Sequence, residues 1–166
     1  MTLLKTERLL INMITLDDAP FLKALMNDKD WILNIGDRGI RTIEDAEDFI
    51  KTRFFKSYKE NGFGFYSMVI KDTFEMIGIV GLVNREGLEY IDIGYGILPE
   101  FRGQGFAYEA TKSIYDYSKD TLKLKKIVAI VNPDNIRSIK LLQKIGLSFE
   151  KMVRLPGEDK DIKLFS

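Results

Sequence analysis

The stretch "PEFRGQGFAYEA", Pro99 to Ala110, constrains this chain more than any other. It stands between an alternating strand pattern, "LEYIDIGYGIL" (Leu88–Leu98), and a helical one that starts at Gly105. Ala107, Ala110, Thr111, Ile114 and Tyr115 fall at i, i+3, i+4, i+7 and i+8, one face of a helix running to about Ser118. A helix start leaves its first N–H groups without intrahelical partners. Those donors and the helix dipole favour an anion. With side chains stripped away at Gly103 and Gly105, Arg102, Gly103, Gln104, Gly105, Phe106 and Ala107 suit a pyrophosphate at the helix mouth. A tight bend alone also accounts for such glycines, and spacing does not separate the two readings.

Two other phosphate loops fit worse. "GQGFAY" lacks the third glycine of a dinucleotide-binding loop, and hairpins rather than a parallel crossover precede it. The chain has no G-x-x-x-x-G-K-[ST] loop.

Composition narrows the chemistry. The chain has 166 residues, which fits one domain spanning 1–166. It contains neither cysteine nor histidine. Disulfides, thiolate nucleophiles, a Ser-His-Asp triad and a His-ligated zinc are thereby excluded, and no metal is expected. Acid–base work falls to carboxylates, Tyr, Lys, Ser or water. Lys plus Arg equals Asp plus Glu, 25 each, which argues against a general nucleic-acid binder. No apolar run approaches the roughly 18 residues of a membrane span, and "MTLLKTERLL" has no leader-like apolar core. A cytoplasmic protein with no membrane partner is the expectation.

Along the chain, Arg8–Met13 reads as the first strand. Thr15 with Asp18, and Thr42 with Asp45, resemble capping boxes. They open one helix through Ala19, Leu22, Leu25 and Met26, and another reaching about Glu60. Trp31–Thr42 reads as a loop or broken helix. Phe65–Ile70 and Met76–Val83 are strands joined by the turn "KDTFE", followed by Leu88–Leu98. Lys126–Val131 reads as a buried strand. "NPDNIRSIKLLQKIG" gives a turn, a cap, a short helix and a glycine stop. Leu147–Arg154 and Lys160–Phe165 form a closing hairpin. The fold class is mixed α/β (α+β, a mixed sheet), with hairpins in the middle and at the end.

Arg102, Gly105 and Ala107 match R-x-x-G-x-[GA], and the chain here resembles the GNAT acetyltransferases. "DIGYGILPEFRGQGFAYEATKSI" is similar to the form in the RimJ/RimL-type branch, which acetylates ribosomal-protein N-termini and related amines. "NPDNIRSIKLLQKIGLSFE" resembles the family's next helix. The resemblance is firm from about Leu88 to Glu150. It implies a central, mostly antiparallel sheet flanked by helices, whose parallel fourth and fifth strands, Leu88–Leu98 and Lys126–Val131, splay apart. It implies acetyl-CoA as co-substrate and an amine acceptor. The pantetheine arm would pair with backbone near Ile97 and Leu98, and the diphosphate would sit on Arg102 to Ala107.

The lack of cysteine excludes a cysteinyl acyl-enzyme and so favours direct attack by the amine in a ternary complex, as the resemblance also implies. Asp92 is the candidate base. By alternation it shares a face with Gly94 and Gly96 and opposes Ile91 and Ile93, at a position where the branch often has glutamate. A loop contact or simple exposure would also account for it, and Glu89 is the rival. The family's usual tyrosine acid is matched by Leu142. Ser138, one turn earlier, is the substitute suggested by the branch, either as acid or as a contact to the sulfur or pantetheine. Tyr95 and Tyr108 read as packing or cofactor wall. Asn135 is a helix cap and, by resemblance, a pantetheine or phosphate contact. Lys123, Lys125 and Lys126 form a basic run, a solvated face or a rest for a 3′-phosphate. By family analogy Trp31, Asn34, Asp37 and Arg38 belong to the substrate-binding region, where Asp37 and Arg38 are expected to pair with each other and order the loop rather than contact substrate. Asp28, Asp30, Asp37 and Glu44 offer acid for a cationic amine. A CoA-binding module without turnover stays open as an alternative, as does the choice between monomer and homodimer.

Overall fold

A computed structural model describes all residues, Met1–Ser166. Eight strands form one sheet: β1 (Thr2–Lys5), β2 (Leu9–Met13), β3 (Phe65–Ile70), β4 (Met76–Val83), β5 (Ile91–Ile97), β6 (Ile127–Val131), β7 (Phe149–Val153) and β8 (Ile162–Phe165). The spatial order is β1-β2-β3-β4-β5-β6-β8-β7. Every neighbouring pair is antiparallel except β5–β6, which is parallel. The expected mixed sheet is therefore present. Strand β1 is an addition to the expected order, so the splayed pair becomes the fifth and sixth strands. Its four residues carry too little alternation to stand out, and its pairing with β2 fixes it.

Between β2 and β3 run α1 (Ala19–Met26), α2 (Lys29–Asn34), α3 (Ile43–Phe49) and α4 (Lys56–Asn61). The Asp28 carboxylate caps α2 by accepting from the Asp30 and Trp31 amides, so part of the expected loop at Trp31–Thr42 is helix. Thr42 and Asp45 cap α3 reciprocally: the Asp45 amide donates to the Thr42 hydroxyl at 3.0 Å, and the Thr42 amide donates to the Asp45 carboxylate at 2.8 Å. The single helix expected from Thr42 is interrupted by a π-helical turn at Ile50–Phe55. Then α5 (Phe106–Asp120) crosses from β5 to β6, and α6 (Ile136–Lys144) leads from β6 to the closing hairpin.

The sheet separates two apolar cores. On one face α5 and α6 bury Phe106, Ala110, Ile114, Ile139 and Leu142 against Leu9, Ile11, Ile93 and Ile97. On the other, α1 to α4 and the π-helical turn bury Leu22, Leu25, Trp31, Ala46, Ile50 and Phe54 against Ile14 and Ile79. Fully burying one Leu or Ile contributes about 1.5–3 kcal/mol, so both layers are firmly held to the sheet.

Candidate active site

Strands β5 and β6 pair for two residues only. Ile91 lies opposite Ile127 and Asp92 opposite Val128, and beyond them the strands part. β5 continues to Ile97 along β4, while Ala129–Val131 of β6 turns to pair with β8. The β6-facing edge of Ile93–Ile97 is left without a strand partner; Arg102 takes the Ile97 carbonyl, and the remaining backbone groups are open to an extended ligand. A cavity of about 1260 Å³ lies at this parting. Gly94 to Ile97, the mouth of α5, Ser138, Trp31 and Asn34 are among the residues that line it.

At the helix mouth, Gly103 and Gly105 hold φ of +73° and +83°. A Cβ on Gly103 would meet no protein atom. The glycines there satisfy a left-handed backbone, which L side chains rarely adopt, and a Cβ on Gly105 would in addition lie 3.2 Å from Arg8 Nη2. No side chain caps α5. The backbone N–H groups from Gly103 to Tyr108 donate to no acceptor in the protein. Arg8, which the motif search passed over, fixes this loop. It donates to the Gln104 carbonyl at 2.9 Å, lies 4.3 Å from the Phe106 ring centroid, and is held by Glu109 at 2.7 Å. Turning the Gln104 carbonyl toward Arg8 leaves the amides of the loop facing outward.

Two cofactor expectations need correction. The Arg102 amide already donates to the Pro99 carbonyl at 3.2 Å, so the row of bare donors starts at Gly103 and runs one residue past Ala107. The Arg102 guanidinium binds Asp30 at 2.5 Å, Asp28 at 2.9 Å and the Ile97 carbonyl at 3.1 Å. Leu98 spends its amide on Ile77 and its carbonyl on Phe101, and its side chain packs into the α1–α4 core. It therefore has no backbone amide left for a ligand. Lys123, Lys125 and Lys126 do not line the cavity.

The β4–β5 register runs unbroken from Gly78–Ile97 to Val83–Asp92, so strict alternation places Asp92 on the face of Gly94 and Gly96. That is the α1–α4 face: Gly96 is covered by Trp31, whose ring would meet a Cβ there at 2.4 Å. Asp92 is 2% exposed. Its Oδ2 accepts from Arg85 Nε at 2.9 Å, and its Oδ1 has no partner. Burial pushes its carboxyl up to about 6, with Arg85 and, more weakly, the nearby Ile130 amide pulling the other way. Glu89 lies outside the cavity, beside Tyr90.

On the opposite face Tyr95 packs with the α5–α6 core. Burial raises its phenol pKa, and the Ser138 hydroxyl opposes that rise. Ser138 sits in the first turn of α6, where its amide donates to the Asn135 side chain at 3.3 Å. The fold thus brings Tyr95 and Ser138 together, a pairing that no local motif marks because the two are 43 positions apart.

The acid expected for a cationic acceptor is largely spent. Asp28 and Asp30 bind Arg102, Asp30 also binds Arg137 at 2.8 Å, and Glu44 does not line the cavity. Burial of Asp28 is outweighed by hydrogen bonds from Arg102 and two amides, which hold its carboxyl below the usual range. Asp37 pairs with Arg41, not with Arg38 as its neighbour position suggests.

Residues 8–148 match the family model of the acetyltransferase (GNAT) domain. The chain belongs to the GNAT acetyltransferases. It is 32% identical over 153 residues to the uncharacterized N-acetyltransferase YoaA of Bacillus subtilis (strain 168), covering 92% of this chain and 86% of that one. It is 31% identical over 172 residues to the uncharacterized N-acetyltransferase p20 of Bacillus licheniformis, covering 100% and 96%. A solved structure of RimL, a ribosomal L7/L12 alpha-N-protein acetyltransferase in complex with coenzyme A, superposes with a TM-score of 0.81 at 16% identity, covering 99% of this chain and 96% of that one. At that identity the likeness is one of fold. As a GNAT protein the chain is an N-acetyltransferase, and the family's acyl donor is acetyl-CoA. No helix of this GNAT domain is long and apolar enough to cross a membrane.

Proposed function

We propose that this N-acetyltransferase passes the acetyl group of acetyl-CoA directly to a primary amine, a protein N-terminus or small amine, held on the Asp92 face of the sheet. The observation that carries the reading is the row of partnerless N–H groups from Gly103 to Tyr108 beside the open edge of β5. A diphosphate there supplies acceptors that the protein itself withholds, at a helix end whose dipole favours negative charge. The free backbone edge at Tyr95–Ile97 suits the pantetheine arm as an added strand. Asn135 and Ser138 close that side.

Acetyl-CoA brings an activated thioester, and the remaining work falls to the chain. The amine nitrogen bonds to the acetyl carbon as the carbon–sulfur bond breaks. Asp92 takes the amine proton on its unpartnered Oδ1, directly or through water. A carboxyl near 6 is ionised at neutral pH and still basic enough to be useful. An amide of the free β5 edge steadies the carbonyl oxygen. Ser138, with Tyr95 beside it, returns a proton to the departing sulfur from the other face. Trp31 and Asn34 wall the acceptor side, and Trp31 packed on Gly96 keeps water from that part of the gap.

The test is acetyl-CoA consumption with a panel of amines and peptides. Wild type is expected to release CoA with at least one acceptor. Asp92→Asn is expected to lose about a hundredfold or more in kcat. Equal turnover by the variant would remove Asp92 as the base.

A further inference from the structure

Around the acceptor end of the cavity the charges do not balance. Arg38 follows α2, Arg53 lies in the π-helical turn, and Lys160 lies in the β7–β8 connection. All three line the cavity, and none makes an ion pair or a side-chain hydrogen bond with the protein. Arg85 joins them, with Asp92 as its single partner. The opposing carboxylates are few. Asp37 is held by Arg41, Glu158 lies near Arg38 without pairing to it, Glu60 faces Lys56 at 4.0 Å, and Asp92 is held by Arg85.

The guanidiniums are also close to one another. After desolvation, repulsion from Arg85 and Arg53 is what lowers the Arg38 pKa. Like charges gathered with Asp92 as their one paired counterion are unfavourable in the ligand-free protein, and an anion relieves them. Two further features mark the place as built for a ligand. The π-helical turn that carries Arg53 is a rare geometry that occurs frequently at functional sites. Arg85 links the arginine group to Asp92, the proposed base, so an anion held by the arginines stands close to the reacting amine.

We propose that the acceptor is a primary amine bearing a carboxylate or phosphate near that amine, and that Arg38 and Arg53 hold the anionic group while Asp92 faces the nitrogen. This rests on the acyl-transfer reading above. Guanidinium forks match either anion with paired hydrogen bonds. A polycation such as spermidine meets Arg38, Arg53 and Lys160 at the entrance and is disfavoured.

Two measurements test the proposal. In steady-state assays at saturating acetyl-CoA, glutamate, a peptide with an acidic N-terminal residue, their uncharged amides and spermidine are compared. At least one anionic amine is expected to exceed its matched amide and spermidine in kcat/KM by about ten- to a hundredfold. Preference for the free amino acid or for the peptide distinguishes a small-molecule from a protein acceptor. Arg38→Gln and Arg53→Gln are each expected to raise KM for the anionic acceptor about tenfold and to erode its preference over the amide. Equal use of the amide, or better use of spermidine, overturns the proposal.

The second measurement needs no turnover. The sole tryptophan, Trp31, lines the cavity. Its emission is expected to change saturably as glutamate or the acidic peptide is added to the acetyl-CoA-loaded protein, and this response should vanish in Arg38→Gln. No response to any anionic amine contradicts the proposal. A response without CoA release upholds anion binding and places the failure in the acyl-transfer reading.

Discussion

Asp92 shows how one residue's setting defines its use. A carboxylate on a central strand is uncommon, and this one is buried with one oxygen bare. Its folded pKa, about 6, lies above the ordinary 3.8. Its stabilising contribution is therefore fully present below the unfolded value and is lost as pH rises through 6, at a cost of about 3 kcal/mol by pH 7.5. Asp92→Asn escapes that cost. Thermal melts should show the variant at or above wild type at pH 7.5, with the gap closing toward pH 5. Activity runs the other way. Wild-type kcat/KM for the acceptor should fall as pH drops through about 6, and the variant should lack that limb. A variant that melts lower at pH 7.5 would indicate that the Arg85 pair dominates. Alternation placed Asp92 on the correct face before any coordinates because β5 carries no bulge. Its burial and its Arg85 partner were not readable, since both depend on packing from other elements.

Among the elements, α2 and the α5 mouth are tied together by Arg102. Its partners Asp28 and Asp30 lie 74 and 72 positions away, beyond the reach of any local motif. The sequence marks Arg102 as part of a phosphate-binding signature, yet its guanidinium holds α2 against the glycine turn before α5. Arg102→Lys keeps the charge but cannot fork across two carboxylates and a carbonyl. In the ligand-free protein this variant should lose about 1–3 kcal/mol, lowering Tm by roughly 2–8 °C. An unchanged Tm with weakened acetyl-CoA binding would instead make the guanidinium a phosphate ligand. The capping signals at Thr42 and Asn135 were legible because caps are local chemistry. The π-helical turn and β1 were not: the first interrupts a continuous helical pattern, and the second has only four residues.

Over the whole molecule, function follows from a sheet that opens. The β5–β6 pairing stops after Asp92, so Asp92, the proposed base, sits at the closed end of the gap. The hydroxyls of Tyr95 and Ser138 lie toward the other face, and the bare helix start stands at the open end. The parallel pair and the glycine turn were readable in order along the chain. The cationic acceptor end was not, because Arg38, Arg53, Arg85 and Lys160 come from four separate connections and elements. The central claim is that the amides from Gly103 to Tyr108 grip the diphosphate of acetyl-CoA. Backbone amide resonances of the isotope-labelled protein, followed by NMR as acetyl-CoA is added, test it directly. The account predicts that the Gly103–Tyr108 amides shift most and saturate together. Saturable shifts elsewhere, with these amides unmoved, would contradict it.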